Sequence, residues 1–457
     1  MRPVLAYLYE TMTREQEKVN AARPAATEGN LFPMEETGGI ALEDVYNAFY
    51  ECVRGKRSTL EALAFEYDYE RYCRELWEEY HRGSYHPSRY IVFVSSHPVL
   101  REIFGSCFRD RVTDTLLAMR LLPYLEAQFI DDNYSTRVGK GTLYGIKRVS
   151  EMVRQCSENY TRDCYIMKLD IQSFFMSLPK QQLFDDICRF LDNRYERGDL
   201  AIVKMLLQRI IFDRPERHCV RKSKREKWYR LPRNKSLFYG DGSRGLPIGK
   251  VISQLLALYY LDEEDHLLGE EWQVRHHGRY VDDQVLIHPD KDHLMRVKDR
   301  MEQWLQSKGL RLHPKKIRIQ HYSKGVMFVG GMIKPGRVYL SNRTVGMMLT
   351  KVESYNRKAK TYHRYVFQNA TRFQAVMNSY FGLMAHFAEW KLTHRLIRSI
   401  GPEWYQVMNI VRKCGRYKVE LKKAYRPQTA IICRLQQEMN EYFNYGNDSR
   451  GDLQASA

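Results

Sequence analysis

An α+β fold is what this chain of 457 residues predicts, and three observations carry the prediction. Apolar residues recur at helical spacing near the start, at Leu42, Val45, Phe49, Cys52 and Val53. Short strand-like runs follow at Tyr90–Val94, Ile166–Asp170 and Arg279–Ile287. Helical patterns return beyond Ser341, at Met347–Val352 and Phe373–Phe387. With 44% hydrophobic and 12% aromatic residues, the chain can bury sizeable cores, and its length exceeds one typical domain.

In chain order, residues 1 to 20 read as a short helix. Ala21 to Gly39, rich in Pro, Gly and Glu, reads as a linker. A helix spans Leu42 to Val53 and stops at Arg54-Gly55-Lys56-Arg57; a second covers Leu60 to His81. Gly83 to Ser88 then turns the chain into the strand Tyr90–Val94. Tyr165–Asp170 reads as a strand ending in an acid, where Asp170 serves either as a helix cap or as a carboxylate presented at a rigid edge. Arg214 to Lys235 is very basic, with Trp228 and Tyr229 interleaved. It reads as a solvated loop or as a nucleic-acid contact, in which Lys224 and Arg225 hold phosphates and the aromatics stack on bases. Gly245 to Gln254 is a glycine-rich turn feeding the buried apolar helix Leu255–Leu261. Gly249 lets backbone approach a ligand closely, and Ser253 and Gln254 offer polar groups on the first turn. Arg279–Ile287 reads as a hairpin with Asp282 and Asp283 at its tip. Adjacent carboxylates repel, so a fold that holds them together usually supplies a cation.

The net charge of +18 points to a polyanionic partner, because a basic surface gains free energy by releasing counterions from a phosphate backbone. Nine singly scattered cysteines show no zinc-ligand spacing and fit reduced, mostly buried thiols. The N-terminus lacks a signal-peptide core, and the longest apolar run, Val251–Leu261, is too short to span a bilayer. A cytoplasmic protein with no membrane partner is expected. His276-His277 is discounted as a metal pair, since neighbours on a strand face opposite ways.

A strand ending in Asp170, a glycine-rich turn and helix, and a hairpin bearing Tyr280-Val281-Asp282-Asp283, in that order, resemble the palm of a reverse transcriptase. Leu312-His313-Pro314-Lys315-Lys316-Ile317 resembles the segment after the family's catalytic hairpin, and Gly325–Gly331 its primer grip. Arg101-Glu102-Ile103, Phe108–Val112 and Tyr134–Gly141 resemble the fingers. The resemblance covers roughly residues 45 to 400. Within the family, Ile248-Gly249 and Ser253-Gln254 are most similar to the bacterial enzymes of diversity-generating retroelements and the related defence-associated reverse transcriptases. Leu231–Phe238 and Asn378–His386 look like that group too.

The resemblance implies a right-hand polymerase: fingers, a palm with a ferredoxin-like sheet, and a helical thumb. It divides the chain into an N-terminal extension (1–40), N-terminal helices and fingers (41–165), and palm (166–335, with a basic insertion at 213–236). The thumb (336–400) and a basic C-terminal extension (401–457) complete it. Asp170, Asp282, Asp283 and the Ile171 carbonyl would hold two magnesium ions, or manganese in their place. Phe175 matches the steric gate that favours deoxynucleotides. Arg101, Arg109, Arg111, Ile248, Gly249, Gln254 and Lys315 or Lys316 would meet the nucleotide, and Phe328, Gly330 and Gly331 the primer. Arg137 and Lys140 are further nucleic-acid candidates. His97-Pro98-Val99-Leu100 departs from the family's Pro-Lys pair before Arg101. Ile248, where most of the family has Gln, implies error-prone copying of template adenines.

The expected function is an RNA-directed DNA polymerase making cDNA from a dedicated non-coding or template RNA, in a retroelement or in antiphage defence. The expected partners are that RNA, the DNA product and dNTPs, with an accessory protein, a second reverse transcriptase or a second copy of the chain as further candidates. The alternative is a maturase-like RNA-binding protein that aids intron folding.

Overall fold

The computed structural model describes residues 39–54, 59–96, 99–387 and 389–426. The expected N-terminal helix and linker, the His97-Pro98 departure, Cys433 and the chain beyond Arg426 lie outside the described residues. The architecture is mixed α+β. Numbered along the chain, the strands are β1 (Tyr90–Ser95), β2 (Arg101–Gly105), β3 (Tyr165–Asp170), β4 (Cys219–Arg221), β5 (His276–Tyr280) and β6 (Asp283–His288). They continue with β7 (Arg318–His321), β8 (Val326–Phe328), β9 (Gly331–Lys334), β10 (Arg337–Leu340), β11 (Met408–Lys413) and β12 (Arg416–Leu421). The sheets run β2-β1-β4, β5-β6-β3-β7, β10-β9-β8 and β11-β12.

The chain divides into two compact units. The first holds the described parts of Met1–Gly141, Leu169–Gln284 and Asp292–Ile317. Its opening helix, Leu42–Val53, has the predicted bounds and buries Val45, Ala48, Phe49, Cys52 and Val53. The helix expected over 60–81 is instead two, Leu60–Tyr67 and Tyr69–His81. Asp68 separates them: its φ of −138° leaves the helical region, and its Oδ2 accepts from Arg71 Nε at 2.6 Å. Aspartate favours helix ends because its side chain competes for local hydrogen bonds. Phe49 welds the three helices by stacking on Tyr69 at 5.0 Å and on Phe65 at 5.5 Å.

The basic stretch from Arg214 is not a free loop. Within it β4 pairs in parallel with β1, and Arg225–Tyr229 is a short helix. A two-faced sheet edge is thereby covered, which removes one row of unpaired backbone groups.

The second unit comprises Thr142–Lys168, Val285–Lys291 and the described part of Arg318–Ala457. Its core gathers the helices Asn342–Thr361, His363–Met384 and Trp390–Arg398 with the β11–β12 hairpin. Trp404 is fully buried and stacks on Phe373 at 3.9 Å. Asn378 fastens β12 twice, donating to the Val419 carbonyl at 3.1 Å and accepting from its N–H at 2.7 Å. The segment from Gly401 to Arg426 therefore shares this core, where the sequence suggested an appendage. Its helices end on the basic hairpin because Trp404, Val407, Met408, Val419 and Leu421 supply the apolar surface that closes them.

Candidate active site

Two turns in the first unit place the acids. Asp170 ends β3, and the backbone beyond it is tied to the segment after Leu310. His313 N–H donates to the Asp170 carbonyl at 2.8 Å and Gln172 N–H to the Arg311 carbonyl at 2.9 Å, with Ile171 bridged to Leu312. Asp282 lies in the turn between β5 and β6. Val281 in that turn has φ +58°, a left-handed conformation that a β-branched residue rarely adopts. Something must hold it, and the fully buried Arg279 does. Its Nη1 donates to the Val281 carbonyl at 3.1 Å and its Nη2 to the Leu258 carbonyl at 3.2 Å. Its Nε reaches the Asp265 carboxylate at 2.9 and 3.0 Å. The paired charge and the filled donors make that burial tolerable.

The electrostatics show the acids drawn together. Burial, then the charges of Asp170 and Asp283, push Asp282 up to about 6, and Arg101 opposes the shift. Lys316 Nζ donates to both Asp170 oxygens at 2.8 Å. The turn at His313–Lys316, closed by the Lys316 N–H on the His313 carbonyl at 2.9 Å, aims that lysine back at β3. Among the described residues no three His, Cys, Asp or Glu side chains form a ready metal cage. With both Asp170 oxygens on Lys316, the acids are neighbours without being convergent. Hard carboxylate oxygens on neighbouring turns still fit a divalent cation, whose charge would relieve their repulsion.

The other sequence candidates divide sharply. Arg101 is exposed at the start of β2, near enough to Asp282 to act on its charge. Phe175 is half-buried beside Phe174, with ring centroids 5.6 Å apart, and its carbonyl accepts from Leu246 N–H at 2.8 Å. Ile248 is half-buried, and its carbonyl accepts from Phe104 N–H at 2.8 Å. Gln254 accepts from Thr136 Oγ1 at 3.0 Å, while the buried Ser253 hydroxyl finds no partner among the described residues. Gly249 has φ +126°, and a Cβ there would strike the Phe104 carbonyl. Its close approach is to β2, not to a ligand.

Several basic candidates are already neutralised. Arg109 is paired with Glu79 and Asp110, and lies over Tyr85. Arg111 meets Glu61 at 3.4 Å. Arg137 holds Glu126 at 2.7 Å and the Ile130 carbonyl at 2.7 Å, and Lys140 holds Asp131 at 2.7 Å. These four brace the fold. The lysine on Asp170 is Lys316; Lys315 is exposed, and its N–H meets the His313 ring at 3.3 Å. Trp228 packs edge-on against Phe238, with Arg221 over both rings, so its face is taken; Tyr229 is 84% exposed, and Lys224 and Arg225 are exposed.

In the second unit, Val329-Gly330 form the turn of the β8–β9 hairpin. Gly330 faces open space, Gly331 abuts Ile146, and Phe328 is fully buried. The Phe328 ring thus packs the unit, and Gly330 at the turn is the open position of the three.

Sequence reasoning missed Arg279 and Lys250. Lys250 is 2% exposed, 3.2 Å from both Asp114 and the Tyr90 hydroxyl, and anchors the start of the helix Val251–Tyr260. A lysine after a glycine-rich turn gives no sign of burial. Arg279, flanking the paired acids in an apolar strand, did carry a signal: a charge inside such a strand needs a partner.

A family model for reverse transcriptase (RNA-dependent DNA polymerase) matches residues 101–333, more than half of the 457, and the chain belongs to that family. Protein YkfC of Escherichia coli (strain K12) is 23% identical over 277 residues, covering 53% of this chain and 66% of that protein. Among solved structures, the telomerase from Candida Tropicalis in complex with a TWJ fragment of telomeric RNA is 12% identical with a TM-score of 0.40, covering 69% of this chain and 53% of that one. The corresponding Candida albicans structure is 10% identical with a TM-score of 0.39, covering 70% and 59%.

Proposed function

We propose that the chain is an RNA-directed DNA polymerase that joins a deoxynucleotide to a primer 3′-hydroxyl by phosphoryl transfer. The observation that carries this reading is the placement of the half-buried Asp282 in the β5–β6 turn next to Asp283 and near Asp170 at the end of β3, in a chain of this family. Asp170, Asp282 and Asp283, with the Ile171 carbonyl, are the groups to hold two magnesium ions. Those ions, when bound, supply activation of the hydroxyl and neutralisation of charge on the leaving pyrophosphate.

The chain's own residues do the rest. Arg279 fixes the Val281 turn and so the direction of both hairpin acids. Arg101 offers a cation to the triphosphate at the edge of β2. Phe175 sets an aromatic ring where a ribose 2′-hydroxyl would otherwise fit. Fingers then correspond to residues 41–165, palm to 166–335, and the thumb runs on from 336 through β12. The Ile248-Gly249 and Ser253-Gln254 pairs support a role in a diversity-generating retroelement or an antiphage defence system, copying a dedicated RNA.

Primer extension on an RNA template with dNTPs tests the reading. Wild type is expected to make DNA and Asp282→Ala to make none, with equal melting curves. Synthesis by the variant equal to wild type overturns it and favours an RNA-folding role.

A further inference from the structure

Two of the cysteines that the sequence scatters singly meet in the fold. Cys156 ends the helix Thr142–Cys156, and Cys164 immediately precedes β3, both within the second unit. Both are free thiols. The Cys164 thiol donates a hydrogen bond to the Cys156 sulfur. That bond lowers Cys156 from its ordinary value and, together with burial, pushes Cys164 well up. Cys164 is fully buried, whereas Cys156 is half-buried and is reached from solvent. A thiol of lowered pKa with some exposure, beside a second thiol, is the arrangement that oxidants select.

The backbone brings the pair together independently of the thiols. Between them it reverses through three consecutive left-handed residues, Glu158, Asn159 and Tyr160, at φ +48°, +59° and +69°. A Cβ crowds the backbone in that region, so such a run persists only where its surroundings hold it. The Ser157 carbonyl accepts from Thr161 N–H at 2.9 Å and from Arg162 N–H at 3.0 Å, closing the loop on itself. Asn159 N–H donates to the Arg154 carbonyl at 2.8 Å, and Tyr160 N–H donates to the buried Ser157 hydroxyl at 3.0 Å. Tyr322 ties the far side: its N–H donates to the Cys164 carbonyl at 2.9 Å and its hydroxyl to the Tyr160 carbonyl at 2.8 Å. With Ser157 fastened to Arg162, Cys156 and Cys164 sit at the neck of a closed loop, within reach of each other as a disulfide requires.

We propose that Cys156 and Cys164 are a modification site, where a hydroperoxide converts the free pair to a reversible disulfide. The Cys156 thiolate attacks a peroxide oxygen and the O–O bond breaks. Cys156 becomes a sulfenic acid, and the hydroxide that leaves takes up the proton Cys156 shed. The Cys164 sulfur then attacks the Cys156 sulfur, the S–O bond breaks, and the S–S bond forms with loss of water. Two thiols are oxidised and one hydrogen peroxide is reduced to two waters. An external thiol reverses the step by exchange. The bond would fasten the helix Thr142–Cys156 covalently to the start of β3. This inference goes beyond the polymerase reading, because no step in it uses Asp170, Asp282 or Asp283.

The test treats reduced full-length protein with graded hydrogen peroxide, blocks the remaining thiols with iodoacetamide in urea, and digests with trypsin. Cleavage after Arg154, Arg162 and Lys168 puts the two cysteines on separate peptides, Gln155–Arg162 and Asp163–Lys168. Oxidation is expected to join them in a species lighter than their sum by two hydrogen atoms, which dithiothreitol parts again. It should do so at doses that leave most of the exposed Cys414 alkylated. Cys164→Ser should give no joined species and leave Cys156 as a sulfenic acid that dimedone captures. Cys156→Ser should leave Cys164 alkylated throughout. Both peptides remaining separately alkylated at doses that consume Cys414 overturn the proposal. So does passage of Cys156 to sulfinic or sulfonic acid with no joined species. Asp282→Ala should form the bond as wild type does, so failure of the polymerase reading leaves this result standing.

Discussion

Glu264 is wholly enclosed, and burial pushes its carboxyl up to about 8 despite the Gln284 amide that donates to it at 2.7 Å. Its second oxygen and the Gln284 carbonyl oxygen both lack partners among the described residues. The folded chain thus keeps, from about 4.5 to 8, a proton that the unfolded chain releases, so stability falls as pH rises through that window. Asp114, Asp262 and Asp282 act in the same direction but are finished by about 6. Urea denaturation at pH 6.5 and 8.5, compared between wild type and Glu264→Gln, separates Glu264 from His218 and His266, whose partners raise them into the same window in both chains. Wild type should lose on the order of 1–2 kcal/mol between them. Glu264→Gln, which keeps both hydrogen-bonding groups, should lose much less; an equal loss would refute the account. At this scale the sequence was only partly legible. Asp170 and the hairpin acids could be read because their chemistry needs them adjacent to turns. Arg109 and Arg137 could not, because whether a cation is free depends on Glu79, 30 residues away, and Glu126, 11 away.

At the scale of elements, the β5–β6 turn is fixed from outside itself. Arg279 joins it to Asp265 on the helix Asp262–Glu270 and to Leu258 at the end of the preceding helix. A lysine keeps the charge but lacks the fork that reaches three acceptors at once. Arg279→Lys is expected to fold, to bind primer-template with near-unchanged KM, and to lose about tenfold to a hundredfold in kcat, as a displacement of about 1 Å costs. Wild-type kcat in a folded Arg279→Lys would show that the turn holds its shape alone. Helix Leu42–Val53 was legible to the residue, since five apolar positions at one spacing leave no alternative. The break at Asp68 was not. It rests on one residue's φ, while the apolar pattern runs on across it.

At the scale of the molecule, residues 401–426 complete a core instead of trailing from it. Trp404 carries most of that closure through Phe373, Tyr355 and Tyr365. Trp404→Ala should cost about 3–5 kcal/mol, read by thermal or urea unfolding, and a chain cut after Ile400 should expose its second unit to protease. A cut chain as resistant as the whole one would return the segment to an appendage. Charge hid this from a sequence reading, because Arg412, Lys413, Arg416 and Lys418 alternate with the few apolar residues that pack. The β11–β12 hairpin has one more consequence. Arg412 pairs across with Tyr417 and Lys418 with Val411, so these cations are spaced by the pleat of a fixed ribbon. A floppy tail meeting a polyanion must first be ordered, and that ordering weakens its grip. A ribbon pinned by Asn378 is already ordered, so a polyanion docking on it would not bear that cost.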